Sequence, residues 1–250
     1  MDLVVCVKRV PDTEAKVRVA ADGRSIDAAG VQWIMAPYDE IAVEKALQLR
    51  DAAGGGTVTV VSVGPAETTK ELRTALAMGA DKAVLVTAPT GAGDASATAK
   101  ALADAVRALP ADLLLFGKQA TDDDDAAVGP MVAALLDRPC VAFVTSIEVT
   151  GRVATVRREI DGEVEVLEVD LPAVLTAQKG LAEPRLPGLK GIMAAKKKPL
   201  DEKPLVATPA ATETRSLTLP AGRGACRKVE PTREGIRGLL KALREERGVL

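Results

Sequence analysis

Histidine is absent from this 250-residue sequence. That excludes a Ser-His-Asp triad, a histidine general base and a histidine-ligated metal. Aromatic residues are scarce too, at 2% against 47% hydrophobic residues, so the core has to be built from Ala, Val, Leu and Ile. The three cysteines, Cys6, Cys140 and Cys226, stand far apart with no CxxC pair. They suit neither a disulfide framework nor a zinc knuckle and point to a reducing compartment. No apolar run reaches the length of a membrane span. The stretch Met1 to Val7 is too short and too acidic at its start for a signal peptide. A soluble, cytoplasmic protein is expected. An excess of either charge is also missing: 33 basic and 35 acidic residues leave a formal charge of −2. That balance argues against a general nucleic-acid binder.

What is present is a long alternation of strand and helix patterns, enough chain for one large α/β domain with or without an appendage. Leu3 to Val7 reads as a buried strand, followed by a hairpin through Lys16–Val19 with its turn at Asp22-Gly23. Pro37 opens a helix whose first turn carries Asp39 and Glu40, where they complement the dipole, and Gly54-Gly55-Gly56 ends it. Strands are expected at Thr57–Val63, Ala83–Val86 and Asp112–Phe116. Helices are expected at Glu67–Met78, Ala95–Leu109 and Asp124–Leu136. Nearly continuous apolar strands separated by helices imply a doubly wound parallel sheet, with any ligand beyond the C-terminal strand ends. After Pro139 the pattern changes to Thr145–Val149, Val153–Arg157, Val164–Val169 and Ala173–Thr176, a β-meander extending the sheet.

Regular structure is expected to fade after Gly180. Residues 182–231 hold seven of the 15 prolines and read as an arm that packs on a partner, since they cannot bury a core of their own. A final helix, Thr232 to Arg247, carries Ile236, Leu239, Leu240 and Leu243 on one face. The organisation expected is a nucleotide-binding α/β domain over residues 1–180, a partner-recognition loop over 181–199, and an arm and helix over 200–250.

Four blocks in this order resemble the β subunit of electron-transfer flavoproteins. They are Cys6 to Thr13 (CVKRVPDT), Arg73 to Asp81 (RTALAMGAD), Gly117 to Asp124 (GKQATDDD) and Glu183 to Lys198 (EPRLPGLKGIMAAKKK). The resemblance covers nearly the whole chain. It implies an adenine-nucleotide α-hydrolase-like fold and a heterodimer with a larger α subunit that holds most of an FAD. It also implies a structural AMP in this subunit, and an electron carrier without intrinsic turnover. Carried over residue by residue, AMP would lie against Cys6, the turn Ala36, Pro37, Tyr38 and Asp39, Val63, and the stretch from Gly117 through Gln119, Ala120, Thr121, Asp122, Asp123 and Asp124 to Ala126, Ala127 and Val128. Tyr38 matches an aromatic position that touches the flavin in relatives.

Leu189 matches a leucine that inserts into acyl-CoA dehydrogenase-type donors. Ile192, Met193 and the lysines Lys196, Lys197 and Lys198 stand beside it on the same partner-facing segment. A membrane quinone reductase would accept the electrons. Two departures keep alternatives open. Ala126-Ala127-Val128 replaces the Asn-Gln-Thr of many members, and Val128-Gly129-Pro130 is similar to an electron-bifurcating branch in which a second FAD takes the place of AMP. A free-standing adenine-nucleotide-binding module of the universal-stress or ATP-pyrophosphatase kind shares the architecture, but would need a Gly- and Ser-rich phosphate loop that this sequence lacks.

Overall fold

The structure, a computed structural model, describes residues 1–89, 93–206, 209–222 and 224–250. The chain divides into two compact units, Met1–Leu217 and Thr218–Leu250.

The first unit is built on a nine-stranded sheet. Its elements in chain order are β1 (Leu3–Cys6), β2 (Arg9–Pro11), β3 (Trp33–Met35), α1 (Pro37–Ala52), β4 (Val58–Gly64), α2 (Thr69–Met78), β5 (Lys82–Thr87), α3 (Ala95–Arg107), β6 (Leu113–Gly117), α4 (Val128–Leu135), β7 (Cys140–Thr150), β8 (Val153–Ile160), β9 (Glu163–Asp170), β10 (Ala173–Ala177), α5 (Leu189–Ala195) and β11 (Leu200–Pro204). Across the sheet the order is β11-β5-β4-β1-β6-β10-β7-β8-β9. Pairing is parallel from β11 to β7 and antiparallel from β7 through β9.

Side chains alternate between the two faces of the strands. Leu3 and Val5 join one core with Leu47, Leu72 and Leu76 from α1 and α2. Val4 and Cys6 join another with Leu102, Val106 and Val132 from α3 and α4. Both faces are therefore dry, which is why the parallel strands read as unbroken aliphatic runs. Each fully buried Val or Leu contributes about 1.5–3 kcal/mol of transfer free energy, so the scarcity of aromatics is made up by number.

The α/β class and the doubly wound sheet stand as expected, and several boundaries differ. Lys16–Val19 forms no strand; a single antiparallel bridge joins Val19 to Ile26 around the Asp22 turn, and the paired strands are β2 and β3 further out. The segment is exposed and short of apolar residues to bury, so a turn signal alone did not extend it. Helix α4 starts at Val128 rather than Asp124, because Asp124 and Ala126 take left-handed φ values of 54° and 52° that interrupt any helix. Strand β10 lies inside the parallel sheet between β6 and β7, leaving β7, β8 and β9 as the meander.

The stretch after Gly180 is also more regular than its composition suggested. It contains α5, packed on α2, and β11, which adds to the edge at β5 in register Leu200↔Ala83. Residues up to Leu217 thus belong to the first unit, not to a separate arm beginning at 200. Residues 207, 208 and 223 of the expected arm lie outside the described residues. Composition misleads here because the segment borrows an existing core and an existing sheet edge.

The second unit contains α6 (Arg233–Glu245), whose N-cap Thr232 accepts the Gly235 N–H at 3.1 Å. Ile236 and Leu240 are about half exposed along its length. Among the described residues no helix is long and apolar enough to cross a membrane.

Candidate functional site

Strand order reverses between β1 and β6: the chain leaves β1 toward β4 and leaves β6 toward the other side of the sheet. The C-terminal ends of these neighbours form the crevice where doubly wound sheets hold ligands. Two backbone N–H groups come free there, those of Lys8 and Gly117. Asp39, third residue of α1, takes both: its Oδ2 accepts from Lys8 at 2.7 Å and its Oδ1 from Gly117 at 2.8 Å. The helix lies close. A Cβ on Gly117 would stand 2.5 Å from Asp39 Oδ1 and 2.7 Å from Tyr38 Cβ, so only glycine ends β6 here. Asp39 is buried, and burial pushes its carboxyl up to about 7, against the N–H donors of Lys8 and Gly117 and the Lys8 charge, which hold it down.

The Lys8 ammonium turns to the loop after β6 and donates to Asp122 Oδ1 at 2.8 Å and Asp123 Oδ2 at 2.6 Å. Burial would lower the pKa of that lysine, but the two ion pairs outweigh it and raise it. Asp124 Oδ1 accepts from Gln119 Nε2 at 2.6 Å. Three of the loop carboxylates are thus engaged, which is how an acidic run can border an anion site. Behind them the backbone makes a nest: Ala126 is left-handed at φ 52°, Ala127 right-handed at φ −99°, and α4 starts at Val128 with no side-chain cap. Such an alternation turns successive N–H groups toward one point, at the positive end of a helix. Among the described residues no protein group accepts from the N–H of Ala127, Val128 or Gly129. The Oγ1 of Thr121, in the same loop, is buried without a partner.

Lys118 lies 4.9 Å from the Tyr38 ring centroid and 5.8 Å from that of Phe143, a cation held between two of the chain's few aromatics. Phe143 has φ 62°, rare for a bulky residue, and its N–H donates to Thr176 Oγ1 at 2.9 Å. The register of β7 on β10 shifts at this point, between Val141 and Val144.

The candidate residues therefore gather at one edge but play different parts. Val63, Tyr38 and Gln119 to Val128 border the crevice partly or fully exposed. Ala36 is fully buried and donates its N–H to the Lys8 carbonyl at 2.9 Å. Cys6 is buried in the core on the α3 and α4 side, and burial, then the Asp39 charge, pushes its thiol well up. These two shape the floor from behind. Lys8, Lys118 and Phe143 were not among the candidates. Lys8 and Lys118 stood inside quoted motifs, whereas nothing in the sequence marks Phe143.

The segment Pro184 to Lys198 lies elsewhere. Arg185 reaches the buried Glu44 of α1, Nε to Oε2 at 2.6 Å and Nη2 to Oε1 at 2.8 Å. Leu189 is the first residue of α5 and 78% exposed; Ile192 and Met193 are exposed beside it, as are Lys196 and Lys197. Lys198 departs from the expectation of a partner-facing lysine. Its ammonium donates to the carbonyls of Leu76 at 3.0 Å and Ala80 at 2.6 Å, satisfying the end of α2. Arg73 ties the other side of the segment, donating to the Ala195 and Lys198 carbonyls at 2.6 and 2.8 Å. Glu44 could have been noticed as a charge on the buried stripe between Ile41 and Leu47.

Chemically, the crevice can accept an anion at the α4 nest and an uncharged group over the ends of β1 and β6. Crevice and sheet together define a doubly wound α/β protein with a candidate ligand site at its strand ends. Comparison with known proteins narrows that class. The family model described as "Electron transfer flavoprotein domain" matches residues 24–208. The electron transfer flavoprotein subunit beta of Bradyrhizobium diazoefficiens is 42% identical over 254 aligned positions, covering 100% of both chains. That of Bacillus subtilis is 45% identical, covering 81% of this chain and 78% of the relative, and the Homo sapiens subunit is 42% identical, covering 80% and 79%. This chain belongs to the electron transfer flavoprotein family, as a β-type subunit.

Proposed function

We propose that this chain is the β subunit of a heterodimeric electron carrier, holding a structural AMP at the crevice and presenting the docking segment for electron donors. The observation that carries the nucleotide reading is the set of open N–H groups at Ala127, Val128 and Gly129, with the Thr121 hydroxyl of the same loop buried and unpartnered among the described residues. A phosphate fits that donor set without needing the Asn-Gln-Thr side chains, because backbone amides supply the contacts. Cys6, Ala36, Pro37 and Asp39 floor the site, and Val63, Gln119, Ala120 and the aspartates Asp122 to Asp124 wall it. FAD, held mainly by the α subunit, supplies the one-electron chemistry when bound. Tyr38 borders it from this side.

Leu189, Ile192 and Met193, with Lys196 and Lys197, form an apolar anchor with a basic margin on a segment fixed by Glu44 and Arg73. That suits an acidic donor surface with an apolar pocket, of the acyl-CoA dehydrogenase type, through a contact that salt weakens. Electrons pass on to a membrane quinone reductase, and the chain has no turnover of its own. The exposed Ile236 and Leu240 stripe of α6 packs on the α subunit.

The test is to co-express the chain with its α subunit, purify the complex, and release its nucleotides by heat for chromatography. One FAD and one AMP per heterodimer is the expected result. Two FAD and no AMP would move the chain to the bifurcating branch, and a chain that never binds α would sink both readings.

A further inference from the structure

Asp39 sits where a doubly wound sheet ordinarily meets the anionic part of its ligand. The N–H groups of Lys8 and Gly117 at that point already donate to its oxygens, at 2.7 and 2.8 Å. Space is closed as well, since α1 lies against the end of β6 tightly enough that Gly117 has no room for a Cβ. Among the described residues no ammonium is paired with the carboxylate. The Lys8 ammonium is drawn to Asp122 and Asp123, and that of Lys118 lies against the Tyr38 ring. The N–H groups of Ala127, Val128 and Gly129, at the start of α4, have no acceptor among the described residues. We propose that Asp39 is a built-in anion that closes the β1/β6 end to phosphate and thereby fixes which way a bound nucleotide lies. The phosphate goes to the α4 nest, and the uncharged sugar and base go over the strand ends. This rests on the nucleotide reading above and adds a positioning residue to it.

Protonation weakens the device, because a carboxylic acid offers one good acceptor where the carboxylate offers two. The ionisable groups around Asp39 are Cys6 and Lys8 beyond β1, Tyr38 and Glu40 beside it on α1, and Lys118 and Asp122 after β6. Cys6 is held neutral and Lys8 charged near neutral pH, because both are shifted upward. Glu40 is also raised by burial, so a variant at Asp39 itself is needed to assign the effect.

Two measurements on the complex of the full chain with its α subunit test this. First, inorganic phosphate is titrated while backbone amide resonances are followed. In the wild type, Ala127, Val128 and Gly129 should shift and Lys8 and Gly117 should not; in Asp39→Ser, Lys8 and Gly117 should shift as well. A wild-type response at Lys8 and Gly117, or none in Asp39→Ser, would overturn the proposal. Second, release of labelled AMP is timed from about pH 5.5 to 8.5. Wild-type release should quicken about tenfold as pH falls through the Asp39 pKa, the loss of one hydrogen bond to a charged group, whereas Asp39→Asn should release fast at every pH. An Asp39→Asn complex that keeps the wild-type rate and slope would also overturn it. If the wild type carries no AMP and its α4 amides ignore phosphate, the nucleotide reading fails by itself, and the Lys8 and Gly117 resonances still judge Asp39.

Discussion

Asp39 and Glu44 stand five positions apart on α1, both buried, and each ties a different region of the molecule to that helix. Asp39 holds the ends of β1 and β6 through two neutral N–H groups, and burial wins, pushing its carboxyl up to about 7. Glu44 holds the segment that leads into α5, through Arg185. Burial would raise it too, but hydrogen bonds from Arg185 and Gln48 with the Arg185 charge overcome that and lower it. The same chemistry on one helix thus shifts in opposite directions. What differs is the partner's charge: dipoles offset part of the desolvation cost, and a guanidinium in paired contact offsets more.

The sharpest way to break the first half of the comparison is Gly117→Ala. A methyl there runs into Asp39 and Tyr38, so α1 must lift from the strand end. A loss of about 2–3 kcal/mol is expected in chemical denaturation, with the two Asp39 hydrogen bonds lost. Glu44→Ala breaks the second half. It leaves a partly exposed Arg185 without its partner, and the expected loss is about 1–2 kcal/mol after allowing for solvent screening. Amide exchange over residues 183–188 should speed up while the strand ends stay protected. Equal exchange in both regions would show that the segment does not depend on Glu44.

Stability against pH separates the two carboxylates by sign. A group whose folded pKa is raised binds more protons in the folded state, so its contribution is full at low pH and is lost as pH rises. For Asp39 that loss falls between about pH 4 and 7. Glu44 is lowered, so its contribution is present above its ordinary value of 4.5 and is lost as pH falls below it. Asp39→Asn should flatten the first limb and Glu44→Gln the second, read as unfolding midpoints across pH. On the proposal above, acidification would favour the fold while loosening the grip on a bound nucleotide. The smallest effect is expected from Lys198→Met, about 1 kcal/mol, for the Leu76 and Ala80 carbonyls left without their donor. Lys196→Met should leave stability unchanged, because that side chain is exposed and makes no hydrogen bond or ion pair among the described residues.

Much of the molecule was legible in the residues. Aliphatic runs at Leu3–Cys6, Val58–Val63 and Leu113–Phe116 can only be strands covered on both faces, and Pro37 with Asp39 marks a helix start. The block Gly117 to Asp124 marked the loop that carries the nest. The hairpin at Lys16–Val19 failed because a turn signal does not supply burial, and β11 was missed because Leu200–Pro204, rich in charge, is a strand only where β5 offers an open edge.

Composition and periodicity by themselves determined the α/β class, the parallel sheet and the edge at which a ligand would sit, because those follow from local pattern and from burying two faces. Motif resemblance added the family. Which aspartate stands alone and which faces Lys8, that Lys198 caps α2 while Lys196 and Lys197 stay free, and that Arg185 finds Glu44 across 141 positions were decided by tertiary structure alone. The physical reason is that a charge takes its role from the partner placed within about 3 Å, and such placement is a property of packing rather than of neighbours in the chain.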